Sequence, residues 1–383
     1  MKHAKLVIAA AVALATTASA WADIKVGVVL SATGPAASLG IPEKKTVELF
    51  PKEIAGQKMD YIFMDDGSDP TAAVKATKKL IDDDKVDIVI GSSITPNSLA
   101  MIDVVGGGKT PNISLAAGRS IVYPVEGNRQ WVFNTPQTTG LMARAVVKNM
   151  VQNKFKTVAY IGFSDAYGED WFKNFAAECK AAGIDVVASE RFNRTATSVT
   201  GQVLHIMAAK PQAVLIGASG TPAALPERAL KQVGFKGQIY QTHGVGNPDF
   251  LRVCGADCNG TILPISPGVV AAQLPADSAI KQSAVKYANA YEGAYGKNQL
   301  SQFSANAWDA GTLLEHAIPV ALKTAQPSDL AGFRAALRDA LEGLKNIAGA
   351  DGIYSMSPTD HNGLDDRAVA IVRIENGTWK MVK

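Results

Sequence analysis

The sequence predicts an α/β protein of two doubly wound, Rossmann-like lobes joined by three crossings, and three observations carry that expectation. Strand and helix signals alternate from residue 24 to about 263, a rhythm that suits parallel sheets covered by helices. The rhythm then breaks into three consecutive helices, near 278–295, 304–323 and 330–341, and closes on a hairpin. A single eight-fold barrel has no place for such a break, whereas two lobes to which the chain returns do. The third observation is the stretch 86–118, in which two short apolar runs, 86–90 and 112–115, flank a helical pattern of Leu99, Met101, Ile102 and Val105. Short Val- and Ile-rich runs bounded by glycine read as buried parallel strands.

In order along the chain, residues 24–31 form the first strand, followed by a Gly-containing loop at 32–40 and a helix over 42–54. A strand at 59–65 leads to Asp69-Pro70, which opens a helix over 71–84 with Val74, Thr77, Leu80 and Ile81 on one face. After the 86–118 unit come a short strand at 131–134 and a helix over 138–152. The second series has strands at 157–163, 185–190, 213–217, 238–242 and 260–263, with helices over 167–181, 199–209 and 222–233. The final strands, 368–375 and 379–382, are joined by Asn376-Gly377, a strong hairpin turn signal. Crossings are expected near 134–138, 263–267 and 346–352. They assign 23–136 plus 265–346 to the first lobe and 137–264 plus 347–383 to the second. Hinge strands of this kind allow two lobes to close on a ligand in the cleft.

The N-terminus reads as an export signal over residues 1–22. Lys2 and Lys5 precede the apolar run 6–15, too short to span a bilayer, and A-x-A sequences place cleavage after Ala20 or Ala22. No cysteine follows the apolar run, which argues against a lipid anchor there, and the expected location is the periplasm. Without Lys2 and Lys5 the chain has 36 basic against 35 acidic residues, a formal charge of +1. So even a balance gives no electrostatic footprint for nucleic acid or an anionic membrane. Cys254 and Cys258 stand four apart around glycine and are expected to form a small disulfide in an oxidising compartment; Cys179 reads as a lone buried thiol. A metal reading of the cysteine pair would need further ligands, and only His243 is a candidate.

Catalytic constellations are poorly supported. Gly106-Gly107-Gly108-Lys109-Thr110 ends like a phosphate-binding loop, but Asp103 stands where the first glycine is required and a strand, not a helix, follows. There is no GxGxxG, HExxH or GxSxG, and Gly217-Ala218-Ser219-Gly220 misses the last by one residue. No enzyme activity and no cofactor are therefore expected. The 86–118 unit places Ser92, Ser93 and Thr95 at one strand's carboxyl end and Ala116, Ala117 and Gly118 at the next. Ligands of open parallel sheets bind there, where helix N-termini offer unpaired N–H groups to an anion such as a carboxylate. Either turn alone reads equally well as an ordinary βα turn with serine as a helix N-cap.

DIKVGVVLSATGPAASLG, the DD of the second strand, IGSSITPNS, ISLAAG, DAYGEDW and the GVGN turn occur in this order. The set resembles periplasmic substrate-binding proteins of ABC importers of the branched-chain amino acid (Leu/Ile/Val-binding) type. That resemblance, over essentially the whole mature chain, implies the type I periplasmic-binding fold, a monomer, a ligand in the cleft and delivery to a membrane permease. It places the carboxylate-holding groups at Ser92 or Ser93, Ala116 and Gly118, where the family often has threonine. The aromatic over the ligand falls on Leu39, the cleft tyrosine of the second lobe on Tyr167, and a further tyrosine on the small residues around Ser219. The acid that pairs the ligand's α-ammonium falls on His243. A histidine with a pKa of about 6.5 cannot replace that acid, though Asp165, Glu169 or Asp309 could supply the charge. The expected ligand is an aromatic or other non-amino carboxylic acid. The alternatives are a branched-chain amino acid, a ligand-sensing module of the same fold and, last, an exported hydrolase.

Overall fold

The computed structural model describes residues 23–382; the expected export signal lies outside the described residues. Fifteen strands form two large sheets and one small hairpin among these residues. In the first lobe these are β1 (Ile24–Leu30), β2 (Glu53–Ile54), β3 (Gln57–Asp65), β4 (Ile88–Gly91), β5 (Asn112–Ser114) and β6 (Val132–Asn134). The second lobe begins with β7 (Thr157–Phe163), β8 (Asp185–Phe192), β9 (Ala213–Gly217), β10 (Gln238–Gln241) and β11 (Ile262–Ile265). The hairpin strands are β12 (Ile347–Ala348) and β13 (Ile353–Tyr354), and β14 (Ala370–Glu375) and β15 (Thr378–Met381) complete the second sheet. Strand orders are β2-β3-β1-β4-β5-β6 and β15-β14-β11-β10-β9-β7-β8. In these two sheets β2, at one edge of the first, and β14 and β15, at one end of the second, pair antiparallel and the rest parallel. The central strands are buried on both faces, so IKVGVVL and AVLIG read as continuous apolar runs rather than alternating ones.

Each face of the first sheet buries a separate apolar cluster. Val26, Val28 and Ile90 meet Leu313, Leu314 and Leu337 from the helices Gln302–Ala321 and Leu330–Glu342. On the other face Val29 and Val89 meet Leu80, Met101 and Val105 from Pro70–Asp82 and Thr95–Gly107. The second lobe is built likewise around β7, β9 and β10, with Trp171 and Phe175 of the helix Ala166–Ala181 packed into its core. Helix starts follow local capping chemistry. Asp69 accepts from Ala72 N–H, Asp165 from Tyr167 and Gly168, and Asn247 from Phe250, and proline stands in the first turn in two of the three. Gly91 ends β4 at φ +121°, and a Cβ there would lie 1.9 Å from the Val29 carbonyl oxygen. Only glycine fits so close an approach to the neighbouring strand.

Three expectations need correction. The helix read over 42–54 runs from Ala37 to Glu48, and 53–54 is an edge strand. Pro42 looks like a first helical residue because its missing N–H is harmless there, yet the helix passes through it. The last crossing also comes later than 346–352. Tyr354 and Met356 lie in the first lobe's core, His361 stacks on Phe133 at 4.1 Å, and Asn362 donates to Asn134 (3.0 Å). The chain therefore stays with the first lobe to about 364. Finally, Cys254 and Cys258 are buried free thiols rather than a disulfide. Cys254 ends the helix Pro248–Cys254, Gly255 turns the chain at φ +60°, and Cys258 Sγ turns to the Gly255 carbonyl at 3.1 Å.

The crossings meet in one buried polar cluster. Gln137 Nε2 donates to the Ala368 and Asp351 carbonyls (2.8 and 3.2 Å), and Gln302 Nε2 donates to Gln137 Oε1 (2.9 Å). Ser266 N–H completes the set by donating to Gln302 Oε1 (2.8 Å). Asp309 accepts from Ala350 and Asp351 N–H and from Tyr354 Oη. Burial pushes its carboxyl up to about 6, and burial with the Asp309 charge beside it raises Asp351 well above the usual carboxylate range.

Candidate functional site

Between the lobes lies a narrow cavity of about 20 Å³, lined mainly by residues that follow the carboxyl ends of parallel strands in both sheets. From the first lobe come Leu39, Ser93, Ile94, Thr95, Leu115, Ala116, Ala117, Phe303 and Asn306; from the second come Tyr167, Arg194, Ser219, His243 and Gly244. Seven of the nine residues expected in the site therefore face one space: Leu39, Ser93, Ala116, Ala117, Tyr167, Ser219 and His243. Ser92 does not. Its hydroxyl is buried and donates to Asp66 (2.6 Å), which also accepts from Ser31 Oγ (2.8 Å). Gly118 stands just behind the wall, where Thr95 fills the room a side chain would need.

The first-lobe wall is apolar at one end and rich in donors at the other. Leu39, Ile94 and Phe303 form a small buried cluster with Ala36. At the polar end, Leu115 N–H is spent on the Ser92 carbonyl (3.2 Å) and Ala116 N–H on Ser114 Oγ (3.2 Å). Among the described residues the N–H groups of Ala117 and Gly118 have no such acceptor. Ser93 Oγ accepts from Ser31 N–H (3.0 Å) and is hydrogen-bonded to the buried Glu43. Burial raises the Glu43 carboxyl well above its usual range, against the opposing effect of the Ser93 bond.

The second-lobe wall is held by its own hydrogen bonds. Tyr167 Oη donates to Thr242 Oγ1 (3.0 Å), which donates to the Ala218 carbonyl (2.6 Å). Gly220 N–H donates to the Gly244 carbonyl (2.7 Å), tying the two turns together. His243 opens a short turn capped by Thr242, and its ring lies 5.7 Å from Trp171 at a 45° tilt. Only 2% of it is exposed and Nδ1 has no protein partner, while burial pulls its pKa down to about 3, so the ring is neutral near pH 7.

Arg194 is the residue that sequence reasoning missed. It follows β8, stacks its guanidinium over Phe163 at 4.1 Å, pairs with Asp165 and donates from Nη1 to Ser219 Oγ (3.1 Å). In the sequence it stands in RFNRTATS, where nothing separates it from a surface arginine. Asp165, Glu169 and Asp309, the acids that could have faced an ammonium, are all engaged elsewhere. Asp165 caps a helix and binds Arg194, Glu169 binds Arg191 near the surface, and Asp309 serves the crossing cluster. The lining thus has one cation and no aspartate or glutamate.

The family profile described as "Periplasmic binding protein" matches residues 23–378. Among solved structures, an extracellular ligand-binding receptor from Rhodopseudomonas palustris HaA2 is 42% identical with a TM-score of 0.90, covering 94% of this chain and 100% of that one. A solute-binding protein of an ABC transporter from R. palustris, solved in complex with benzoate, shares the fold at 22% identity and a TM-score of 0.80, over 94% of this chain and 96% of its own. Among curated proteins, the Leu/Ile/Val-binding protein homolog 3 of Brucella melitensis biotype 1 is 27% identical over 266 residues, 67% of this chain and 70% of that protein.

Proposed function

This chain belongs to the periplasmic binding protein family, in its branched-chain amino acid transporter type, and we propose that it captures a small carboxylic acid without an α-amino group for an ABC importer. An aromatic or other non-amino acid is the favoured ligand. The fold and relatives are those of solute-binding proteins, not enzymes. On this reading residues 1–22 export the chain to the periplasm, where the family acts, and the partner is a membrane permease.

One observation carries the choice of ligand: the cavity lining contains no carboxylate, and neutral His243 stands where the resemblance places the ammonium's partner. A buried ammonium without an anion costs several kcal/mol, more than a typical neutral hydrogen bond returns. The carboxylate end is better provided, with Ser93, the free N–H groups of Ala117 and Gly118, and Arg194 across the cleft. Three or four charge-assisted hydrogen bonds at about 1.5–3 kcal/mol each, with apolar burial against Leu39, Ile94 and Phe303, can exceed binding costs by the roughly 8 kcal/mol a micromolar Kd needs.

A branched-chain amino acid is the second reading, favoured by the Leu/Ile/Val-binding relative and by the aliphatic wall. Native mass spectrometry of the protein as purified, followed by a thermal-shift panel of carboxylic and amino acids, decides between them. Greater stabilisation by benzoate, phenylacetate or isovalerate than by leucine supports the proposal. Tight leucine binding with no response to amine-free acids overturns it.

A further inference from the structure

Thr95 is the one polar side chain of the first-lobe wall with nothing to bond to. It opens the 13-residue helix Thr95–Gly107, whose preceding residue, Ile94, offers no side-chain cap. The residue is 1% exposed, Oγ1 has no protein partner, and it lines the cavity. Leaving a buried hydroxyl unpaired is costly, so the position calls for a partner that arrives with the ligand.

The place of that partner is set by the loop opposite. A Cβ on Gly118 would lie 2.4 Å from Thr95 Cγ2 and 2.9 Å from Oγ1, so the threonine occupies the volume a side chain at 118 would fill. Its side chain is therefore packed against Gly118, in the turn where the N–H groups of Ala117 and Gly118 lack acceptors among the described residues. The start of the helix, the unpartnered hydroxyl and this turn thus meet at the cavity, which Thr95 and Ala117 both line.

We infer that Thr95 donates its hydroxyl hydrogen to the ligand's carboxylate and is a further ligand-binding residue of this site, made possible by the bare Cα of Gly118. The inference rests on the carboxylate reading of the cavity but not on the absence of an amino group.

Isothermal titration calorimetry on the full mature chain tests it, with Thr95→Val as the main variant and Thr95→Ser as the conservative one. Valine keeps the methyl that packs on Gly118 and removes only the donor. Benzoate should bind Thr95→Val at least about tenfold more weakly than wild type, while Thr95→Ser stays within about threefold. The ligand-free Thr95→Val protein should melt at the wild-type temperature or above it, since it no longer buries an unpaired hydroxyl. A purely structural threonine predicts the reverse, a lower melting temperature with benzoate affinity unchanged, and that result overturns the inference. If wild type binds leucine instead of benzoate, the amine-free reading fails and the comparison is made with leucine. A tenfold loss in Thr95→Val then still supports Thr95, and an unchanged Kd refutes it. No response of wild type to benzoate, phenylacetate, isovalerate or leucine overturns both.

Discussion

Replacing His243 by glutamate restores an acid where the family pairs its ligands' ammonium, and its effect follows from the geometry of a closed cavity. The wild-type ring is buried, and burial holds it neutral by pulling its pKa to about 3. Glutamate puts a carboxylate into the space that receives the ligand's own. For two like charges roughly 6 Å apart at an effective dielectric constant of about 20, the repulsion is about 3 kcal/mol, or about 100-fold in Kd. Burial also raises the new carboxyl's pKa, so the protonated fraction grows as pH falls and the repulsion fades. Calorimetric titration with benzoate at pH 8 and pH 5, on wild type, His243→Glu and His243→Gln, should therefore show three things. His243→Glu loses about 100-fold at pH 8, loses less at pH 5, and His243→Gln stays near wild type at both. An unchanged benzoate affinity in His243→Glu at pH 8, or an equal loss in His243→Gln, would refute the reasoning, because charge at this position would then not govern selection.

Arg194→Met should weaken benzoate by about 10- to 100-fold, the range of one lost charge-assisted contact; titration in an Asp165→Asn background, which removes the arginine's partner as well, should show the same loss. Ligand-free stability should be higher at pH 5.5 than at pH 8. Burial raises Asp87 and Asp309 to about 6 and Glu227 to about 7, so the folded state holds protons that the unfolded chain has released, and that stabilisation disappears as pH rises through those values. His243 opposes the trend below about 6.5, where the unfolded ring gains a proton that the folded one refuses, so His243→Gln should enlarge the gain measured by thermal melts. Gly91→Ala forces a Cβ to within 1.9 Å of the Val29 carbonyl oxygen at φ +121°, and urea titration should show a loss of roughly 3 kcal/mol or more.

The sheet architecture was legible because most strands of both sheets are buried on two faces and announce themselves as apolar runs, as in IVIG of β4 and AVLIG of β9. A capped helix was legible too, from Asp69-Pro70, whereas the short helix after Asn247-Pro248 carried too few apolar positions to be seen. What stayed hidden depends on contacts far apart in sequence. Nothing local says that Tyr354 and Met356 belong to the first lobe, since their partners Phe133 and Leu313 stand more than 40 residues away. Within the site, the resemblance marked turns that line one cavity but not the direction of each side chain. Ser92 and Ser93 are adjacent and chemically identical, and only the position of Asp66 under Ser92 and of the cavity before Ser93 separates them.

Arg194 and Thr95 show how the two walls complement each other. Arg194 is fixed before any ligand arrives, by Asp165, Ser219 and the face of Phe163. Its charge is therefore half-spent, which tempers the attraction it can exert on a bound anion but leaves N–H groups in a defined direction. Thr95 is the opposite case, a donor left unsatisfied until the ligand comes. The donors of the first lobe lie on rigid strand ends and a long helix, so an acid can be held there while the lobes are apart. Closure then adds Arg194, Tyr167 and His243 from the other sheet. Binding energy gained only in the closed form shifts the hinge equilibrium by that differential and no more. The three crossings are tied into one buried cluster by Gln137, Ser266, Gln302 and Asp351. A ligand that satisfies only the first-lobe donors should bind without closing the protein. On the proposed reading, discrimination against amino acids is thus exercised at His243, during closure, rather than at the carboxylate that every candidate shares.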